Sequence, residues 1–477
     1  MRINERVVRL NGKMPAGNGK YVLYWMQMYK RVENNHALVF AIRKANELNL
    51  PLVVYEGLKY YYPWASDRIH TFILEGVAEK REAFAALGIR YVFYLQKNAD
   101  SPKKTVARLA KHAALFVTDD FPCFIIPEHN QRLAEQAEIP VYAVDSNCVI
   151  PISKFDKEEY AAYTIRPKIN TLLERYFKPF VEETVQLRAD DLVIDVEETI
   201  VAESDISTLV ADCNIDHSVK ATDHYRGGTA NGRARLLKFV DEILPLYDKT
   251  RNKPEMDGSS RLSPYLHFGF LSPLEIAMAA READAPDEAK NAFLEELIVR
   301  RELSFNLTYR NPSYDSLTAL PAWSQKTMRE HISDERQFIY SLEQLEQGET
   351  HDELWNAAQR EMVVTGEMHN YVRMLWGKNV IAWSRSYEEA FETLVHLNNK
   401  YCLDGRDPNS YAGILWCFGK HDRPWMERPV FGTIRYMTSQ STGKKFDSKK
   451  YIEWTRSLEP RPSRPVLYNT CNPKPAC

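Results

Sequence analysis

Three tryptophans, a buried-looking arginine and a glutamate in an apolar run are the residues of this sequence whose types and spacing could do chemistry. Trp376 and Trp383 close the segment Thr365-Gly-Glu-Met-His-Asn-Tyr-Val-Arg-Met-Leu-Trp-Gly-Lys-Asn-Val-Ile-Ala-Trp383. On a helix they are two turns apart, roughly 10 Å along the axis, a spacing that lets indoles act as stepping stones for an electron. Trp355, in Leu354-Trp-Asn-Ala-Ala-Gln359 just before, is expected to extend that path. His369, Arg373, Trp376, Val380 and Trp383 follow at helical steps and predict one stripe. Such a stripe is usually core, and the arginine in it is the anomaly, because a buried guanidinium requires a carboxylate. Asp404 and Asp407 arrive shortly afterwards, in Leu397-Asn-Asn-Lys-Tyr-Cys-Leu-Asp-Gly-Arg-Asp-Pro-Asn409.

Glu296 stands in Phe293-Leu-Glu-Glu-Leu-Ile-Val-Arg-Arg-Glu-Leu303. On a helix surface it would do nothing special. Facing a cleft, burial would raise its pKa and let it give a proton or a hydrogen bond to a substrate carbonyl. Periodicity does not decide between the two. Further upstream, Tyr247-Asp-Lys-Thr-Arg-Asn-Lys-Pro254 leads into Ser259-Ser-Arg-Leu-Ser-Pro-Tyr-Leu266. Small hydroxyl residues followed by proline and an apolar start predict a helix N-terminus, whose free N–H groups favour a pyrophosphate; taken alone, most such turns are only caps.

The elements that must position these residues divide the chain. Up to about residue 150, β-rich runs (Tyr21–Trp25, Pro51–Tyr55, Arg90–Tyr94, Ala114–Thr118, Pro140–Val144) alternate with helical segments (Asn35–Leu48, Asp67–Leu87, Pro102–Lys111, Glu128–Ala137). That alternation predicts a doubly wound parallel-sheet α/β domain. No G-x-G-x-x-G follows its first strand, which counts against a dinucleotide phosphate site there. A connector over 151–224, with an acidic stretch from Asp190 to Asp205, leads to long amphipathic helical patterns over 225–458. The remainder, 459–477, is rich in Pro, Ser and Asn and predicts a flexible tail.

Bulk composition limits the function classes. With 477 residues, 44% hydrophobic and 27% charged, the chain reads as a soluble protein of two or three domains, cytoplasmic or, in a eukaryote, nuclear or organellar, and monomeric. No run of about 18 apolar residues predicts a membrane span. Seven scattered cysteines without a CxxC pair count against a disulfide framework and a structural zinc site, and no metal is expected. A net charge of −3 confines any nucleic-acid surface to a local basic patch.

From Arg226 to about Ser457, and more loosely before it, the chain resembles the photolyase and cryptochrome family. Leu-Trp-Asn-Ala at 354–357, Met-His-Asn-Tyr-Val-Arg-Met-Leu-Trp at 368–376, Leu-Asp-Gly-Arg-Asp-Pro-Asn at 403–409 and Arg428-Pro-Val-Phe-Gly-Thr-Ile-Arg-Tyr-Met437 are similar to the class II cyclobutane-dimer photolyases in particular. The resemblance implies a helical FAD-binding domain and light-driven repair of UV-damaged DNA. It implies that Tyr247, Ser259, Ser260, Arg261, Leu262 and Ser263 hold the FAD phosphates, and that Arg373 pairs with Asp404 beside the flavin ring. Asp407 joins the cofactor contacts and Asn398 sits by flavin N5. Glu296 bonds the dimer's base carbonyls; Arg251, Asn252 and Trp416 contact the flipped-out lesion or its backbone; Arg423 and Arg435 fill the gap left in the duplex. Trp355, Trp376 and Trp383 match the family's electron-transfer tryptophans. A deazaflavin antenna is a second cofactor the family uses, but Met28-Tyr29 departs from the Ser or Arg with an acidic residue usual there, which counts against it. Leu375 and Arg300 stand where some relatives have Tyr and Trp. The alternative within the family is a cryptochrome-like photoreceptor without repair, against which the short tail counts.

Overall fold

The computed structural model describes residues 3–459. The expected tail therefore lies outside the described residues, Glu459 excepted. Six strands, β1 (Val7–Arg9), β2 (Tyr21–Trp25), β3 (Leu52–Lys59), β4 (Arg90–Gln96), β5 (Ala113–Asp119) and β6 (Val141–Val144), form one sheet in the order β1-β6-β5-β2-β3-β4. All neighbours are parallel except β1, which pairs antiparallel with β6. The five parallel strands are the ones the sequence predicts. β1 is an addition to them, because three residues at a sheet edge carry too short a pattern to read.

Every residue of β2 is buried, as expected of a strand with helices on both faces. Val22 and Tyr24 point to one face and Tyr21, Leu23 and Trp25 to the other. Between β2 and β5 the strand order reverses, the place where open α/β sheets bind ligands. Here the backbone N–H groups of Gln27, Met28 and Tyr29 converge on Asp119 Oδ2 at 2.9, 2.7 and 3.0 Å, and Tyr24 donates to Oδ1 at 2.7 Å. An internal carboxylate fills the anion nest, in keeping with the missing glycine motif.

The predicted helix over 67–87 is two helices, Asp67–Leu74 and Val77–Ala86, separated at Gly76. A Cβ on Gly76 would come within 2.4 Å of the Phe270 ring, and one on Gly227 within 1.8 Å of the Phe72 carbonyl oxygen. The helical region thus meets the sheet domain at distances that leave no room for a side chain. Arg68 fixes the same junction, donating to the carbonyls of Val363 and Tyr401 at 2.7 Å each, the late parts of two helices that carry the site. The connector laces along the sheet: Thr199 N–H donates to the Phe93 carbonyl at 2.7 Å, and Glu198 of the acidic stretch pairs with Arg81 and Arg90. This covers the open edge of β4.

Beyond residue 225 the described elements are helical. Glu353–Thr365, Asn370–Trp383, Tyr387–Tyr401 and Pro408–Cys417 surround a core that contains Trp355, Trp376, Leu394 and Phe418. Among the described residues no helix is long and apolar enough to cross a membrane.

Candidate active site

The run around Glu296 is not a plain α-helix. Asp287–Leu294 continues into a π-helical turn, Glu295–Arg300, and then into Arg301–Arg310. Single π turns inside α-helices are frequent at functional sites. Glu296 is not buried, as the cleft reading required: its side chain is 36% exposed, and its Oε1 accepts from Arg251 Nη1 at 2.7 Å. The Arg251 guanidinium lies 5.9 Å from the centroid of Tyr247. Burial, and next the charge of Glu296, push the Tyr247 hydroxyl up to about 12. On the same turn Glu295 accepts from Arg166 Nη2 at 2.6 Å and from Arg300 Nε at 3.2 Å. Two guanidinium groups share one carboxylate, and Arg300 rests over the half-buried Trp416 at 5.7 Å. Asn252 is exposed beside them in sequence.

A second group of charges gathers where the helix Asn370–Trp383 begins. Arg373 Nη2 stands 3.5 Å from Asp404 Oδ1, so the expected pair forms, loosely; burial works against the charge on Arg373, and Asp404 together with Cys402 and Glu367 more than offsets it. Arg261 pairs with Glu367 at 2.8 Å and with Asp257, and Tyr225 also donates to Glu367. Arg261 takes a left-handed φ of 54°, which turns the Ser259–Ser263 segment back on itself. The carbonyls of Ser260 and Ser259 accept from Arg235 at 2.8 and 3.2 Å. The short helix Ser263–His267 starts after Leu262, not at a serine cap, and no side chain caps it; Leu262 is buried and Ser263 exposed. Asn398 is buried, its Nδ2 donating to Asn399 Oδ1 at 3.2 Å. Asp407 has both oxygens engaged by the protein: Oδ1 caps Pro408–Cys417 through the Asn409 N–H at 2.9 Å, and Oδ2 meets His267 Nδ1 at 3.2 Å.

His369 corrects the stripe. It does not lie on the helix but caps it, its Nδ1 accepting from the Tyr371 N–H at 3.2 Å. That bond leaves the ring proton on Nε2, which is buried and meets no acceptor among the described residues. Burial, and after it the charge of Arg261, push His369 down to about 4, so the ring is neutral near pH 7. A neutral N–H donor without an acceptor, close enough to Arg261 and Arg373 to feel both charges, suits a ligand rich in acceptor oxygens. Helical spacing alone does not reveal this; the His-Asn step just before an apolar helix is the available signal.

Among the tryptophans Trp355 does not extend the path from one end but occupies its middle. It stacks on Trp376 at 6.4 Å and 9°, and meets Trp383 edge-on at 5.6 Å and 67°. All three are buried. Arg423 and Arg435 are exposed, and their guanidinium groups lie 5.3 and 4.9 Å from the ring centroid of Trp425, so one surface loop gathers both.

The deoxyribodipyrimidine photo-lyase of Methanothermobacter thermautotrophicus is 41% identical to this chain over 455 residues, 95% of this chain and 98% of that protein. The chain belongs to the photolyase family. Residues 22–186 of this photolyase match the family model described as DNA photolyase. The deoxyribodipyrimidine photo-lyase of Arabidopsis thaliana is 37% identical over 449 residues, 92% of this chain and 89% of that one. Among solved structures, a Synechocystis cryptochrome superposes with a TM-score of 0.69 at 15% identity, covering 91% of this chain and 88% of its own. The photolyase fold is therefore shared with a cryptochrome, while the relatives that match nearly the whole chain are deoxyribodipyrimidine photo-lyases, which makes this chain a light-driven DNA repair enzyme.

Proposed function

We propose that this photolyase acts on UV-damaged DNA and splits cyclobutane pyrimidine dimers under light, as a class II member of its family, with reduced FAD. The observation that carries this reading is the π turn Glu295–Arg300, which presents Glu296 paired to Arg251, and Arg300 over Trp416. A photoreceptor needs no such array of an acid, two cations and an indole gathered around one partly exposed turn.

The FAD fits the residues present: His369 Nε2 supplies a buried donor without an acceptor among the described residues, and Arg261 and Arg373 supply positive charge near enough to depress its pKa. In this reading Tyr247, Ser259, Ser260, Arg261, Leu262 and Ser263 hold its phosphates and Arg373 with Asp404 flanks its ring. Asn398 would lie by N5, and Asp407 would support the site through the helix that it caps. When bound and reduced, FAD supplies the photoexcited electron that opens the cyclobutane ring. The chain's own work is to receive and orient the lesion. A dimer stacks poorly, so flipping it out costs less than flipping an intact pair. Trp416 offers a face for stacking; Arg251 leaves Glu296 to bind the flanking backbone beside Asn252. Glu296, freed of Arg251 and protonated from solvent as the lesion enters and shuts water out, then donates to a base carbonyl. Arg423 and Arg435 occupy the gap in the duplex, held together by Trp425. Trp355, Trp376 and Trp383 carry an electron inward to restore the reduced cofactor.

The test offers duplexes with one cyclobutane dimer or one (6-4) photoproduct to the purified protein under blue light, after an absorption spectrum has established the flavin and any antenna such as a deazaflavin. Restoration of the cyclobutane dimer alone is expected. Repair of the (6-4) lesion in its place, or of neither, overturns the reading.

A further inference from the structure

Trp383, the last indole of the relay, is only 6% exposed, so a reductant in solvent does not reach it. Its outer face is covered by two rings. Tyr340 meets it edge-on at 5.4 Å and 75°, and His351 at 5.3 Å and 63°. Both separations are as short as those inside the tryptophan chain. The Tyr340 backbone N–H also donates to the Trp383 carbonyl at 3.2 Å, which fixes the two residues to each other.

The oxygen of Tyr340 accepts from the His351 backbone N–H at 3.1 Å and lies 2.6 Å from His351 Nδ1; with the ring proton on Nε2, the phenol donates to Nδ1. Phe338 stacks on the other side of the imidazole at 3.9 Å. Tyr340 is half-buried and His351 exposed. From Trp383 outward, burial therefore falls step by step while a proton acceptor is added.

We infer that Tyr340 is a fourth member of the electron relay, oxidised by Trp383 with its proton passing to His351 Nδ1, and that this pair is where external reductant enters. The inference rests on the relay proposed above. One electron moves from Tyr340 to the Trp383 radical cation, which returns to a neutral indole. The phenol O–H bond breaks and an N–H bond forms on His351, leaving a neutral tyrosyl radical and an imidazolium. A thiolate from solvent then returns one electron, His351 returns the proton, and the thiolate becomes a thiyl radical that ends as disulfide. Tyrosine oxidation without a proton acceptor is costly, and the 2.6 Å hydrogen bond to His351 removes that cost.

The test is flash excitation of the flavin-loaded protein, followed by transient absorption and electron paramagnetic resonance. In the wild type a tyrosyl signal is expected to grow as the tryptophanyl signal decays, more slowly in heavy water. Tyr340→Phe keeps the ring against Trp383 and should lose the tyrosyl signal, prolong the tryptophanyl signal and lower the photoreduction yield with thiol several-fold. His351→Gln should slow the tyrosyl rise without removing Tyr340. A wild type showing tryptophanyl radicals only, or a Tyr340→Phe variant with unchanged radicals and yield, overturns the inference and leaves the proposed repair standing. Absence of any aromatic radical in the wild type overturns both this inference and the relay.

Discussion

The indole of Trp355 stacks on that of Trp376 with planes within 9° of parallel, and its Nε1–H donates to the Trp376 carbonyl at 3.0 Å. Trp355 thus stands between the other two tryptophans, and among the described residues no other ring bridges them. Trp355→Phe is expected to lower flavin photoreduction by at least as much as Trp383→Phe does. It should also cost stability, about 1–3 kcal/mol, because it leaves a cavity and removes a buried hydrogen bond. Photoreduction rates and denaturant midpoints of the two variants check this. A Trp355→Phe protein that photoreduces faster than Trp383→Phe would place the electron's path elsewhere.

Glu296→Gln should keep FAD bound and lower the number of dimers repaired per photon, since a weaker donor stabilises the dimer's charge less. The same change breaks the ion pair with Arg251, so affinity for the lesion is expected to move as well. Quantum yield measured at saturating DNA separates the two effects. An unchanged yield there assigns Glu296 to holding Arg251 alone.

Replacing Arg423 or Arg435 by Ala should weaken binding to damaged duplex more than to damaged single strand. For each DNA phosphate that the removed guanidinium had neutralised, the slope of log affinity against log salt should shrink by roughly 0.9 on duplex DNA. Equal weakening on both substrates would remove the gap-filling role. Because both side chains lie on Trp425, Trp425→Ala should reproduce part of either defect.

Glu302 gives a pH signature of folding. It is fully buried next to the π turn, and burial pushes its carboxyl up to about 8, although the Ile150 N–H donates to it at 3.1 Å. The native state therefore holds a proton that the unfolded chain releases at about its ordinary value of 4.5. Native protein binds more protons across that window, so stability falls as pH rises from about 4.5 to about 8 and levels off above. Glu302→Gln should flatten that decline. Melting temperatures compared at about pH 6 and about pH 9 check it; equal declines in both proteins would mean that Glu302 is ionised in the native state.

Much of the fold is legible in the sequence because its parallel strands are continuous apolar runs flanked by helical periods, as at Tyr21–Trp25 and Ala113–Asp119. The site is legible as a set of residue types and less so as geometry. A π turn leaves no mark in the apolar spacing around Glu296, since one extra residue in a turn shifts phase no more than an ordinary irregularity does. The position of Trp355 between Trp376 and Trp383 depends on how two helices cross, which neither helix's own period encodes. His369 keeps the right spacing for the stripe, while its φ of −57° and ψ of 130° put it outside the helix. The Asp119 nest joins residues some 90 positions apart and has no local pattern at all.

The most direct measurement takes the protein reduced chemically in the dark, without air, and mixes it with a duplex carrying one cyclobutane dimer. The mixture is divided, half kept dark and half given blue light, and intact pyrimidines are counted. Restoration is expected in the light and none in the dark, with one bound FAD serving many dimers. A flavin-loaded protein that binds the lesion and restores no dimer in the light would contradict that expectation.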